Sequence, residues 1–288
     1  MTKVRIYIKK QERINIKCYI CTQIINKRRI MKITLLQTDI VLANPEANRK
    51  HLESLLEQAP KSDVYVLPEM FSTGFLIHPK GVAEPIDDRG NSYEWMLEMA
   101  VRYDAAIAGS VATETRGRSN EGKEYYNRFY FAKPDGSLAW YDKKHLFSYG
   151  GEDKEYTAGF ERIEVEFRGV KFLLQICYDM RFPKFSRNTK EDPYDVAIYV
   201  ASWPTSRIEA WKTLAHARAI ENQSYVAIVN RVGKDENCEY SGGTMLIDPY
   251  GRTIVEAEEG IEDVVAGTIN IEELRSFREK FPVLNDAD

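Results

Sequence analysis

Three short stretches of this chain each run out of an apolar segment onto a reactive side chain: Leu67-Pro68-Glu69, Tyr141-Asp142-Lys143 and Gln175-Ile176-Cys177. Strand ends are where layered α/β folds build their sites. A carboxylate, an ammonium and a thiol brought together make a coherent acyl-transfer set. The carboxylate takes the thiol proton, the ammonium favours thiolate and oxyanion, and the sulfur attacks. Each residue also has a plain alternative. A lone cysteine after Leu-Leu-Gln-Ile is commonly packing, Glu69 after Pro68 could be a turn acid, and Lys143-Lys144 could be a solvated pair. The apolar neighbours Val66, Leu67, Met70 and Phe71 argue that Glu69 is buried, and a buried acid needs a partner.

Other hydrolytic designs fit less well. There are four histidines, His51, His78, His145 and His216, and two of them (His51 and His216) fall in helical patterns. The chain has no G-x-S-x-G elbow, no H-E-x-x-H and no phosphate-loop glycine spacing. No metal site or organic cofactor is expected. Cys238 lies in the polar run Asp235-Glu236-Asn237-Cys238 and reads as a loop thiol. Cys18 and Cys21 form a C-x-x-C without a second ligand pair, so it reads as incidental.

The elements that must position these residues follow from hydrophobic period and punctuation. Strands are expected at 31–37, 63–67, 105–111, 127–132, 137–141, 163–167, 170–176, 195–200, 225–229, 243–247, 253–256 and 264–268. Helices are expected from Asn44-Pro45 to residue 58 and over 93–103, 207–221 and 271–280. Lys133-Pro134-Asp135-Gly136 and Arg168-Gly169 sit between apolar runs and predict hairpins. Alternating strands and helices with interspersed hairpins predict an α/β protein with two mixed sheets in one domain.

Bulk properties narrow the class. The 288 residues are 43% hydrophobic and 29% charged, as in a globular chain, and the net charge of −4 gives no case for nucleic acid or anionic membrane. No apolar run approaches the length that spans a bilayer. Four cysteines make no disulfide framework, so the cytoplasm is the expected compartment. Residues 1–30 are basic and isoleucine-rich, with Glu12 as their one acid. They are read as a non-native or disordered extension, with the functional domain over 31–288 and Met31 as the natural start.

Read together, LPEMFSTGF around Glu69, YDKKHLF around Lys143 and CYDMRFP around Cys177 resemble the nitrilase superfamily of carbon–nitrogen hydrolases. MKITLLQTDI, HARAIENQSYVAIVNRVG and SGGTMLIDPYG extend the likeness over residues 31–280. The resemblance implies a four-layer αββα sandwich, a homodimer, Glu69 as base, Lys143 as oxyanion stabiliser and Cys177 as nucleophile. It also implies a second glutamate that orients the lysine. Glu152 is the choice, with Asp153 and Glu155 as alternatives. The backbone N–H of Tyr178 would complete the oxyanion site.

FSTGF, CYDMRFPKFSRN and ASWPTSR are most similar to bacterial ω-amidases, which act on short ω-amides of dicarboxylic acids such as 2-oxoglutaramate and succinamate. Arg181 would then hold the substrate carboxylate, or else pair with a nearby acid. Phe75 and Trp203, with Phe71 and Tyr149, are expected to wall the pocket. The alternatives are an amidase of the same superfamily acting on deaminated glutathione or N-carbamoyl compounds, and an inactive binding module.

Overall fold

The computed structural model describes residues 30–88, 90–116 and 122–286. The basic segment 1–29 lies outside them, so the expectation for the N-terminal extension does too.

Two mixed sheets form the middle of the molecule. The first uses β1 (Ile30–Gln37), β2 (Val64–Val66), β3 (Ala106–Arg116), β4 (Lys123–Ala132), β5 (Leu138–Asp142) and the late strand β14 (Asp263–Asn270), in the order β14-β1-β2-β3-β4-β5. The second uses β6 (Glu164–Phe167), β7 (Val170–Ile176), β8 (Val196–Ala201), β9 (Tyr225–Asn230), β12 (Met245–Ile247) and β13 (Thr253–Glu256), in the order β13-β12-β9-β8-β7-β6. Each sheet has a parallel centre, β1-β2-β3 or β7-β8-β9, flanked by antiparallel strands. A further hairpin, β10 (Val232–Lys234) with β11 (Glu239–Ser241), stands apart from both.

Period-2 alternation explains the layering. Ile33 and Leu35 of β1, Phe172 and Leu174 of β7, Ile198 and Val200 of β8, and Ala227 and Val229 of β9 share one buried cluster between the sheets. Their neighbours along each strand point the other way. Leu36 and Tyr65 meet Leu52 and Leu56 of α1 (Pro45–Gln58) and Met96 and Met99 of α2 (Ser92–Tyr103). Tyr199 and Ile228 meet Trp211, Ala215 and Ala219 of α3 (Ile208–Asn222). Three apolar seams therefore separate four layers, αββα. A C-terminal helix, α4 (Ile271–Lys280), closes the chain on an Asn270 cap.

Local signals set the element ends. The Asn44 side chain accepts the Ala47 N–H at 3.1 Å and Pro45 follows at the first helical position. At the β4–β5 turn, Asp135 accepts the Ser137 N–H at 2.9 Å and Gly136 takes φ 83°, a left-handed conformation that suits glycine. The parallel strands of both sheets point their C-terminal ends at one region, and the reactive stretches lie there.

Candidate active site

Glu69 follows β2, Lys143 follows β5 and Cys177 follows β7, and all three line one pocket. Lys143 Nζ donates to Glu69 Oε1 at 3.0 Å and to Glu152 Oε2 at 2.9 Å. All three side chains are fully buried. Asp153 and Glu155 are exposed, and Glu155 pairs instead with His78. Of the three candidates for the lysine partner, the fold brings Glu152 to the lysine.

Backbone and amide donors also hold these two carboxylates. The Ser202 N–H donates to Glu69 Oε2 at 2.7 Å, and the Phe147 N–H to Glu152 Oε2 at 2.6 Å. Asn127 Nδ2 donates to both carboxylates, at 2.7 Å to Glu69 and 3.1 Å to Glu152. One side-chain amide thus clasps the two acids that flank the lysine. Sequence reasoning missed Asn127. The signal was its position in β4 two residues before Phe129 and four before Phe131, on the strand face that enters the core. A polar residue at a core-facing position implies a buried partner.

Charge accounts for the ionisation of the cluster. Burial alone would lower the Lys143 pKa, but Glu152 and Glu69 outweigh it and hold the ammonium well above its ordinary range. Burial pushes Glu152 up, against the pull of Lys143. Burial also pushes the Cys177 thiol well above its ordinary range, and the Glu69 charge adds to this more than Lys143 subtracts. Two carboxylates against one ammonium leave little support for a resting thiolate. Attack by this sulfur would then call for a base to take its proton.

Cys177 opens a 3₁₀ turn, Cys177–Arg181, with its backbone in the left-handed region at φ 45°. For a non-glycine residue this conformation costs on the order of 1–2 kcal/mol. Asp179 over-determines the turn. Its carboxylate accepts the Ile176 N–H at 3.0 Å, the Tyr141 O–H at 2.7 Å and the His145 backbone N–H at 3.2 Å, and it meets His145 Nδ1 at 2.7 Å. The cysteine turn and the lysine segment are thereby tied through one buried acid. His145 stacks on Phe182 at 3.9 Å and takes this supporting position rather than a place beside the thiol.

The pocket has about 470 Å³ of non-atom space including its mouth. Phe75, Tyr178, Arg181 and Trp203 line it as expected. Phe71 and Tyr149 do not. Phe71 is buried in the seam beneath the first sheet's helices, and Tyr149 is 88% exposed. Phe147, Arg207 and Tyr240 take their place. Cys238 is a loop thiol, as read from the sequence, and its place in the fold adds a role on the wall. It stands in the β10–β11 turn, half-buried, and lines the same pocket as Cys177. Arg181 places its guanidinium 4.9 Å from the Trp203 ring centre, and among the described residues no carboxylate pairs with it.

Residues 32–279 match the carbon–nitrogen hydrolase family. The chain belongs to this family. It is therefore a hydrolase of carbon–nitrogen bonds other than peptide bonds, built on the nitrilase fold. A carbon–nitrogen hydrolase superfamily protein from Xanthomonas campestris, solved with an arsenic adduct in its active site, superposes with a TM-score of 0.83. It is 42% identical, over 90% of this chain and 97% of that one. Omega-amidase YafV of Yersinia enterocolitica is 44% identical over 90% of this carbon–nitrogen hydrolase and 97% of the relative. The 2-oxoglutaramate amidase of Bacillus subtilis is 37% identical over 88% and 96%. Among the described residues, no helix of this family member is long and apolar enough to cross a membrane.

Proposed function

We propose that this enzyme hydrolyses the terminal amide of short ω-amides of dicarboxylic acids, of the 2-oxoglutaramate and succinamate type, and releases ammonia. One observation carries the reading. A single pocket has a Glu69–Lys143–Cys177 cluster on its floor and, on its wall, an arginine with no carboxylate partner among the described residues. A short chain with an amide at one end and a carboxylate at the other matches that polarity. The omega-amidase and 2-oxoglutaramate amidase relatives support the same substrate class.

In this mechanism Glu69 takes the Cys177 proton as sulfur attacks the amide carbon. Lys143 and the Tyr178 N–H hold the oxyanion. Glu69 then gives its proton to the departing nitrogen, the carbon–nitrogen bond breaks, and ammonia leaves a thioester. Glu69 deprotonates a water that attacks the thioester, and the proton returns to the sulfur as the acid departs. Glu152 orients Lys143 and does not touch substrate. Arg181 takes the distal carboxylate through charge-assisted hydrogen bonds.

The working unit proposed is residues 31–288 as a cytoplasmic homodimer. Tyr250, Phe277 and Phe281 form an aromatic run on the surface, with ring centres 4.1 and 6.2 Å apart, and support a partner-covered face. Sedimentation at micromolar concentration reads the oligomer. The substrate test is ammonia release from 2-oxoglutaramate, succinamate, deaminated glutathione and an N-carbamoyl amino acid. The first two should be turned over fastest, and no ammonia from either would refute the substrate class.

A further inference from the structure

Arg207 ends the short 3₁₀ turn before α3 and lines the same pocket as Arg181. Its guanidinium carbon lies 5.4 Å from the Phe147 ring centre, as that of Arg181 lies over Trp203. Among the described residues, neither arginine pairs with a carboxylate. An exposed cation, Arg181, and a half-buried one, Arg207, each on an aromatic face beside one small cavity, are an arrangement that awaits an anion.

Trp203 mounts both of them. Its ring face carries Arg181, and its indole Nε1–H donates to the Arg207 carbonyl at 2.8 Å. The indole packs against that of Trp211, ring centres 5.2 Å apart and planes tilted by 34°. The Trp203 backbone is gripped at both ends by Asn230, whose Oδ1 accepts the Trp203 N–H at 2.7 Å and whose Nδ2 donates to the Trp203 carbonyl at 2.9 Å. Asn230 in turn donates to the Gly242 carbonyl at 2.6 Å. The platform, two residues beyond the end of β8, is therefore held by Asn230 at the end of β9.

We infer that Arg207 and Arg181 form a two-point clamp on the carboxylate end of the substrate, aligned by Trp203, with Arg207 a specificity-determining residue. The inference rests on the ω-amide reading and adds a second cation to it. Arg181 approaches from the cysteine turn and Arg207 from the start of α3, so a carboxylate between them can use both oxygens, one for each guanidinium.

Binding rather than turnover is the decisive measurement. In a Cys177→Ala background, succinamate and its neutral counterpart butanamide are titrated by calorimetry. Arg207→Met should lower the preference for succinamate over butanamide roughly 10- to 100-fold, the range for one hydrogen bond to a charged group. Arg207→Lys, which keeps the charge and loses the fork, should recover part of it. A preference within twofold of the parent in Arg207→Met overturns the clamp, and so does an equal loss for both ligands, which would mark collapse of the wall. The amidase reading has its own readout, ammonia from the intact enzyme. Failure there with Arg207-dependent succinamate binding intact would remove that reading and leave the clamp.

Discussion

The floor and the mouth of this pocket solve opposite problems. The floor holds two carboxylates and an ammonium out of water, where an unpaired charge is prohibitive. Each therefore has several partners: Glu69 has Lys143, Asn127 and Ser202, and Glu152 has Lys143, Asn127 and Phe147. The mouth keeps Arg181 and Arg207 partly solvated, backed by Trp203 and Phe147, with no carboxylate among the described residues to satisfy them. Chemistry is built where charge is over-satisfied and rigid. Recognition is built where charge is left open for the ligand to complete.

Substitutions should separate the two regions. Cys177→Ala should cut turnover at least about 10⁴-fold with an unchanged melting curve, since it removes the atom that forms the thioester. Activity near wild type in that variant would refute the covalent route. Asn127→Leu should lower kcat roughly 10- to 100-fold, because both acids lose a donor, with KM for succinamate within about twofold. A change confined to KM would mean that the two regions are not separable.

The thiol gives a pH test of the floor. Burial and the Glu69 charge hold Cys177 well above its ordinary range. Alkylation by iodoacetamide, read in a Cys238→Ser background, should climb about tenfold per pH unit without levelling near the ordinary thiol pKa of about 8.5. A plateau at or below that value would show a preformed thiolate. The smallest effect is expected at the mouth. Trp203→Phe keeps a ring beside Arg181, removes the bond to the Arg207 carbonyl and reduces the contact with Trp211. KM for succinamate should rise about 2- to 10-fold, the range for one neutral hydrogen bond, with kcat less affected.

Most of the scaffold was legible because its local signals agree with the fold. Asn44-Pro45 caps α1, Asp135-Gly136 turns β4 into β5, and the alternation in β7 and β8 sorts each side chain to one seam. Glu69, Lys143 and Cys177 were legible as reactive ends of apolar runs. The hairpin of β10 and β11 was not. It is short and polar, and its tertiary position, not its pattern, sets Cys238 and Tyr240 on the pocket wall. Phe71 and Tyr149 misled because an aromatic near a motif carries no sign of direction. Phe71 turned into the seam below and Tyr149 outward to solvent. Asp179 escaped notice because three of its four contacts reach Tyr141 and His145, more than thirty residues away in the chain.

The grip on Glu69 comes from the N–H of Ser202, and the mount for both arginines is the very next residue, Trp203. One planar peptide, with Cα atoms about 3.8 Å apart, joins them and cannot stretch. Base and clamp therefore hang from adjacent marks on a rigid ruler. Any shift of the Trp203 mount must carry the Ser202 N–H with it, and so one grip on Glu69.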